Sequence, residues 1–209
     1  MTLAETQVVL SGITVGGKPL RDHLEAIDHA EAWDAIVQWA HSREALSSFL
    51  LRSLHRLVLQ RSQPEYAGQY RQVPVAIAGS PLVPPDPVIV PGAVDEIMKT
   101  SQSLNADPVV AGALIHARLM AIHPFVDGNG RTGRLLLNLW LMRHQYVPTI
   151  LEPSDRPSYY AALQAADSGD FDPIVEMVAH GISRTLSLYE EVLQLNPHAS
   201  PPQSPDLHH

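Results

Sequence analysis

Residues 123–134 concentrate side chains that could do chemistry, in the order His-Pro-Phe-Val-Asp-Gly-Asn-Gly-Arg-Thr-Gly-Arg. His123 titrates near neutral pH, which suits a general base that takes a proton from a hydroxyl group. Asp127 offers a hard carboxylate oxygen, and Mg²⁺ is commonly bound by one or two carboxylates together with substrate phosphates. The segment therefore predicts a base and a metal carboxylate that share one loop.

The same loop leads into a predicted helix, where it could hold a phosphate group. Gly128 and Gly130 allow the backbone to adopt positive φ and to approach an anion closely. The free N–H groups and the dipole of a helix N-terminus favour a bound phosphate. Asn129 adds a side-chain amide donor. Arg131 and Arg134 lie three positions apart on the first turn, so both can lean toward the same anion.

Each of these residues has a simpler interpretation when it is taken alone. A histidine beside a proline is usually structural, Gly-Asn-Gly is usually a turn, and two arginines on a helix usually face solvent. Asp127 could serve only as a helix cap. Their concentration between two apolar helices favours the functional interpretation. The loop is neither a Walker loop, because it lacks Gly-Lys-Ser/Thr, nor a dinucleotide fingerprint, because it follows a helix rather than a strand.

The elements that must position this loop are mainly helices. Apolar spacing predicts helices near residues 20–40, 43–61, 92–104, 107–122, 130–142, 157–167 and 172–195. The two that flank the loop carry apolar residues on most faces and should be central and buried. Between residues 70 and 90 the pattern changes, because Val73, Val75 and Ile77 alternate with the strand period. Pro74 limits this segment to an edge strand or an extended loop. The predicted class is all-α with one β excursion.

The loop resembles the Fic signature, H-P-F-x-(D/E)-G-N-G-R-x-x-R, at every position. Two further segments resemble parts of that family: residues 68–85 resemble its flap, and Tyr159-Tyr160-Ala161-Ala162-Leu163 resembles a recurring downstream element. The resemblance implies a Fic domain over residues 1–195, with a β-hairpin flap at about 68–90. Its fold would be a helical bundle around two central helices joined by the active-site loop 123–134.

The resemblance also implies an activity, the transfer of AMP from ATP to a Ser, Thr or Tyr hydroxyl of a target protein or of the chain itself. His123 would deprotonate that hydroxyl and Asp127 would bind Mg²⁺. The flap would dock the target backbone as an added strand through Val75, Ala76, Ile77 and Ala78. The residues implied to bind the nucleotide are Asp127, Gly128, Asn129, Gly130, Arg131, Thr132, Gly133, Arg134, Tyr159 and Asp167. Asp167 stands where close relatives have Asn.

Three alternatives stay open at this point. A Fic-type enzyme could transfer another phosphate-containing group, although the phosphate-transferring branch resembles a variant with Lys in place of Gly130. A nucleotide-binding interaction module without transfer would have no need of His123. A metal-dependent hydrolase would need ligands beyond His123 and Asp127, and the remaining histidines show no spacing that would supply them.

Many Fic proteins carry an inhibitory helix with the pattern (S/T)-x-x-x-E-(G/N), and this sequence contains no Glu followed by Gly or Asn. Its opening residues, 2–6, resemble the segment that directly follows the inhibitory motif in relatives that carry it N-terminally. We therefore expect a form from which the inhibitory helix has been removed, in which Arg134 has no inhibitory glutamate as a partner. The alternatives are that a separate antitoxin chain supplies the inhibitor or that the inhibitor is absent by nature.

Composition narrows the class of protein further. The net charge of −8 argues against nucleic acid as a partner, because phosphate contacts need clustered Lys and Arg. The absence of cysteine excludes disulfides and thiolate metal sites. No apolar run is long enough to span a bilayer, and a cytoplasmic protein is expected. The Pro-rich residues 196–209 predict a disordered tail. An acidic helical surface is compatible with a homodimer, and the target protein is not identified by the sequence.

Overall fold

The computed structural model describes residues 2–11, 15–42, 44–103 and 105–195 of the chain. These residues form eight α-helices: α1 (Leu3–Leu10), α2 (Leu20–Ala40), α3 (Ser48–Leu59), α4 (Val90–Ser103), α5 (Pro108–Ile122), α6 (Asn129–Arg143), α7 (Arg156–Asp167) and α8 (Asp172–Leu195). Short 3₁₀ turns at Pro87–Ile89 and Pro153–Asp155 precede α4 and α7. The prediction of an all-α fold is confirmed. The predicted disordered tail at 196–209 lies outside the described residues.

Local capping sets where several helices begin. Asp107 accepts a hydrogen bond from the Val109 N–H at 2.8 Å, and Pro108 occupies the first helical position, as predicted. α3 begins later than the predicted residue 43, because the Ser47 hydroxyl accepts from the Leu50 N–H and fixes the start at Ser48. Sequence periodicity did not predict α1, which a capping box at Thr2 initiates.

Two apolar clusters share the central helices α5 and α6. One cluster packs these helices against α2, α3 and α4, and its members include Leu119 and Leu136. The other packs them against α7 and α8, and its members include Ala113 and Leu141. α5 and α6 therefore lie in the middle of the bundle, as their apolar faces predicted. The loop that joins them is consequently anchored at both ends by the most buried helices of the fold.

The prediction of a β-hairpin in the flap is corrected by the structure, because residues 68–90 contain no strand. The backbone turns once, where the Ser80 N–H donates to the Ile77 carbonyl at 3.1 Å and Gly79 has a φ of +79°. A hairpin needs paired N–H donors on both arms. Five prolines in the segment remove such donors: Pro74, Pro81, Pro84, Pro85 and Pro87. The extended-loop interpretation is the one that the structure supports.

Among the described residues, no helix combines the length and the apolar character that crossing a bilayer requires.

Candidate active site

The loop between α5 and α6 is shaped by two residues in the left-handed region. His123 ends α5 with φ +49° and ψ +62°, and Gly128 precedes α6 with φ +74°. This conformation costs a residue with a side chain roughly 1 kcal/mol or more, so the surroundings must hold His123 in place. Gly128 accepts the same conformation without a Cβ penalty. Between them, Phe125 is fully buried and anchors the loop in the core.

Asn129 braces the loop through its side-chain amide. Its Oδ1 accepts from the Phe125 N–H and its Nδ2 donates to the Phe125 carbonyl, both at 2.9 Å. The side chain is 3% exposed and uses its carbonyl oxygen and one of its two amide N–H groups on the loop. That the Asn129 amide adds an anion donor stays a prediction, and it concerns the second amide N–H. The backbone N–H of Asn129 belongs to the free first turn of α6, where Gly128 provides no side-chain cap.

His55 on α3 supports the same loop through hydrogen bonds and ring stacking. The Gly68 N–H donates to His55 Nδ1 at 3.0 Å, so the ring proton resides on Nε2, which donates to the Asp127 carbonyl at 3.0 Å. The ring stacks on Phe125 with centroids 3.6 Å apart and planes 2° from parallel. Burial lowers the pKa of His55 to about 4, which keeps this neutral tautomer in place.

One cavity of about 530 Å³ brings most of the predicted site residues together. It is lined by His123, Asp127, Gly128, Asn129, Gly130, Arg131, Arg134 and Tyr159, and also by Leu151, Glu152, Pro153, Asp155 and Arg156. Thr132 and Gly133 are not among its walls. Both are buried on the inner side of α6, and a Cβ built on Gly133 would meet the Met120 side chain at 2.4 Å. Gly133 thus packs α6 closely against α5.

The His123 ring is placed as a base. Its Nδ1 lies 3.3 Å from the Met120 carbonyl, which can only accept, so Nδ1 carries the proton and Nε2 keeps its lone pair. Burial lowers the pKa of His123, the Arg71 charge lowers it further, and the Met120 hydrogen bond and Asp127 act in the opposite direction. The net decrease in pKa favours the neutral ring at neutral pH. The ring can therefore accept a proton from a group in the cavity.

Asp127 is held as an ionised carboxylate. Its Oδ2 accepts from Gln63 Nε2, its Oδ1 accepts from the Gly128 N–H at 2.6 Å, and Arg21 on α2 pairs with Oδ2 at 2.5 Å. Burial would raise the pKa of Asp127, but these hydrogen bonds and the charges of Arg131 and Arg21 lower it.

Asp127 is the carboxylate that the loop at 123–134 itself offers to a metal, and it precedes Gly128 directly. Within the described ranges, no three His, Cys, Asp or Glu side chains converge as a metal cage. The donor set therefore fits Mg²⁺, which takes one or two carboxylates and completes its shell with phosphate oxygens and water. It does not fit a structural zinc site.

The two arginines of the loop differ in their partners. Arg131 Nη1 lies 3.2 Å from Glu25 Oε2 on α2, and Arg131 Nη2 lies 3.6 Å from Asp127 Oδ1. Arg134 forms no ion pair within 4 Å in the part of the chain that the structure describes. Both line the cavity. Arg134 is thus the arginine whose charge is left for a bound anion.

A second, more apolar cavity of about 250 Å³ adjoins the first and shares His123, Gly130, Arg134 and Tyr159 with it. Residues 76–78 of the flap and Asp167 also line it. Tyr159 thus lines both the polar and the apolar cavity. Its hydroxyl lies 2.9 Å from Nε2 of the buried His116, and burial raises the pKa of Tyr159 to about 12. His116 is therefore a core residue that fixes a cavity wall.

Sequence reasoning missed the residues that support the loop from other helices, including His55, Gln63, Arg21 and Glu25. None of them lies near the loop in the sequence. His55 was one of several histidines without informative spacing. A single signal was available: His55 lies on the otherwise apolar face of α3, and a polar group there must find buried partners.

Comparison with known proteins agrees with this geometry. The model of the Fic/DOC family matches residues 45–141. Over 193 residues the chain is 36% identical to a protein of Drosophila grimshawi named protein adenylyltransferase Fic. The matched region is 90% of this chain and 40% of that protein. Fic-1 from C. elegans superposes with a TM-score of 0.82 at 32% identity, over 94% of this chain and 59% of that chain. A Fic domain containing signaling protein from Bacteroides thetaiotaomicron superposes with a TM-score of 0.84 at 27% identity, over 93% of this chain and 81% of that chain.

The central helices, the loop at 123–134 and these superpositions define the class as a Fic-type domain. The chain belongs to the Fic/DOC family, through the domain that includes residues 45–141. It spans about 40% of the length of the curated relatives that it matches.

Proposed function

We propose that the chain is a protein adenylyltransferase, which transfers AMP from ATP to a hydroxyl side chain of a protein. The observation that carries this proposal is that the free Nε2 of His123 faces the cavity into which the N-terminus of α6 and Arg134 also point. A base beside an anion site fits a reaction in which a hydroxyl group attacks a phosphate. The names of the curated relatives support the same chemistry.

In the proposed step, the target hydroxyl oxygen attacks the α-phosphorus of ATP. A new oxygen–phosphorus bond forms, the bond from the α-phosphorus to the bridging oxygen breaks, and pyrophosphate leaves with that electron pair. The hydroxyl proton passes to His123 Nε2. The Met120 carbonyl stabilises the resulting imidazolium by accepting from Nδ1. Most of the rate enhancement would come from positioning and charge stabilisation, as in other phosphoryl-type transfers.

The triphosphate would be bound by the first turn of α6 and by Arg134. The backbone N–H groups of Asn129, Gly130 and Arg131 precede the first intrahelical hydrogen bond, which runs from Thr132 to Gly128. These donors and the helix dipole favour negative charge at this point. Asp127 is the residue that would hold Mg²⁺, whose charge would offset the charge of the phosphates when it is bound. Gln63 and the Gly128 N–H orient the Asp127 carboxylate.

The adenosine would occupy the apolar cavity, which Tyr159 and Asp167 both line. The flap would dock the target. Val75 and Ile77 are half-buried and Ala76 and Ala78 exposed, so alternate side chains face the domain, as in a strand at a sheet edge. No backbone–backbone hydrogen bond to Val75 or Ala76 occurs within the described chain, so their N–H and C=O groups are available to an added strand.

The test is to incubate the chain with Mg²⁺ and ATP, alone and with a cell extract as a source of targets, and to weigh it by intact mass spectrometry. His123→Ala is the inactive variant and His180→Ala, an exposed histidine on α8, is the matched control. We expect protein-bound AMP with the wild type and His180→Ala and none with His123→Ala, although all three bind ATP.

The other outcomes are informative. A gain of one phosphate in place of AMP would contradict the proposed reaction and support transfer of another group. ATP binding without any protein-bound product in the extract would support a nucleotide-binding module. Cytoplasmic location and a homodimer stay predictions, which fractionation of cells and light scattering would measure.

A further inference from the structure

Arg71 is a buried arginine whose partners are almost all backbone carbonyls. It is 2% exposed, and no carboxylate lies within 4 Å of it in the described residues. Its guanidinium donates from Nε to the His123 carbonyl at 2.8 Å and from Nη2 to the Pro85 carbonyl at 2.6 Å. Longer contacts reach the carbonyls of Val73 and Ile122, at 3.2 and 3.3 Å. A buried charge of this kind is retained only where its donors are satisfied.

These acceptors lie on two different structural units. Ile122 and His123 are the last carbonyls of α5, where the helix dipole concentrates negative charge and favours a cation. Val73 and Pro85 lie on the two arms of the flap, one before and one after its turn. The backbone N–H of Arg71 adds a third link, to the Pro124 carbonyl at 3.0 Å. One residue therefore joins the end of the central helix to both arms of the flap.

The contact to His123 matters because of that residue's conformation. His123 is one of only two non-glycine residues in the described chain with positive φ, and its carbonyl is the acceptor of the short Nε bond. A strained backbone persists only when its surroundings over-determine it. Arg71 supplies such a restraint from outside the loop, and Phe125 and Asn129 supply another from within it.

We propose that Arg71 is a positioning residue for the transfer reaction: it fixes the backbone of His123 and the arms of the flap as one unit, so that the base and the docked target hydroxyl face each other. The proposal rests on the proposed function. Arg71 does not line the phosphate cavity, so it acts through His123 and the flap rather than on the nucleotide.

Arg143 offers a matched control on the same protein. It lies in the last turn of α6 and donates to the Trp39 carbonyl at the end of α2 at 3.2 Å and to the Glu44 carbonyl at 2.6 Å. It is therefore a second arginine that caps a helix C-terminus from another element, far from the loop at 123–134. Arg→Lys at either site keeps the charge but removes the planar fork that reaches several carbonyls at once.

The experiment compares Arg71→Lys with Arg143→Lys in three measurements: the thermal midpoint, the affinity for ATP by calorimetry, and the rate of AMP transfer at saturating ATP. A fourth readout is the ring resonance of His123 in the NMR spectrum, assigned by its loss in His123→Ala. We expect Arg71→Lys to slow transfer by about 10- to 100-fold, the range that misplacement of a catalytic group by ~1 Å can cause. ATP affinity should change by less than about threefold, and the His123 resonance should shift. Arg143→Lys should leave transfer and the resonance unchanged.

Two results would overturn the proposal. One is wild-type transfer and an unmoved His123 resonance in Arg71→Lys. The other is an equal loss of transfer in both variants, which would mark Arg71 as a general contributor to stability. If the wild-type chain transfers no AMP, the proposed function fails, but the resonance of His123 still reports whether Arg71 positions the ring.

Discussion

The side-chain amide of Asn129 lies 2.9 Å from both the N–H and the C=O of Phe125, and it forms a closed pair of hydrogen bonds with that residue. The pair spans the tip of the loop that carries His123 and Asp127. Because the amide is used in this way, the loop keeps its shape without help from a bound ligand. An anion site built from backbone N–H groups requires this pre-formed geometry.

Asn129→Ala should therefore lower both stability and ATP affinity. It leaves the buried N–H and C=O of Phe125 without partners, which costs roughly 1–3 kcal/mol for each group. The control is Asn138→Ala, because Asn138 on the same helix forms a similar pair with the backbone of Thr149, at 2.8 and 3.3 Å. Denaturant unfolding should show a loss in both variants, and calorimetry should show weaker ATP binding only for Asn129→Ala. Equal ATP affinities in the two variants would contradict a role for Asn129 in shaping the site.

Transfer should persist to a lower pH than an ordinary histidine base would allow. Burial lowers the pKa of His123 below its usual value, so the ring stays neutral over part of the range in which a free histidine is protonated. The rate at saturating ATP should be flat near neutral pH and should fall on acidification with an apparent pKa below about 6.5. A rate profile measured with the wild type would test this. An acid limb above that value would show that another group limits the reaction.

Stability should decrease as the pH falls from about 6.5 to about 4. Burial lowers the pKa of His29, His55 and His116 to about 4 in the folded chain. In this window the unfolded chain binds more protons than the folded one, so acid favours unfolding and neutral pH favours the native state. His55→Gln keeps a donor and an acceptor without titrating. It should reduce the pH dependence of the free energy of unfolding between pH 4 and 6.5, as measured by urea unfolding at several pH values. An unchanged slope would mean that His55 is not neutral in the native state.

Asp127→Asn should reduce the response of transfer to Mg²⁺. Asn keeps an acceptor for the Gly128 N–H but loses the negative charge, and metal charge stabilisation is worth several kcal/mol, so transfer should fall by ~10²-fold or more. Asp155→Asn is the control on the rim of the same cavity, where that carboxylate pairs with Arg184 at 2.8 Å. A Mg²⁺ titration should shift to higher concentration only for Asp127→Asn. A shift of the same size in both variants would indicate a general effect of charge in the cavity.

The sequence by itself determined the chemical content of the site and the class of fold. Residues 123–134 are contiguous, so the base, the carboxylate, the glycines and the two arginines are delivered together wherever the loop lies. The 3.6-residue period of apolar side chains was sufficient to predict that α5 and α6 are helical and central, because helix burial is encoded locally. The cap at Asp107 and Pro108 is local in the same sense.

Only the tertiary structure decided which partners each side chain uses. His55, Gln63, Arg21, Glu25 and Arg71 reach the loop across 52 to 106 positions of sequence, and no local pattern encodes such contacts. For the same reason, the bonds between the Asn129 amide and Phe125 could not be predicted, nor that Thr132 and Gly133 are buried on α6 and do not line the cavity. In the flap, by contrast, a local pattern predicted pairing that the tertiary structure does not form. Its alternation predicted a strand, but β pairing depends on a partner that supplies hydrogen bonds, and the prolines of residues 74–87 leave too few donors for the arms to pair.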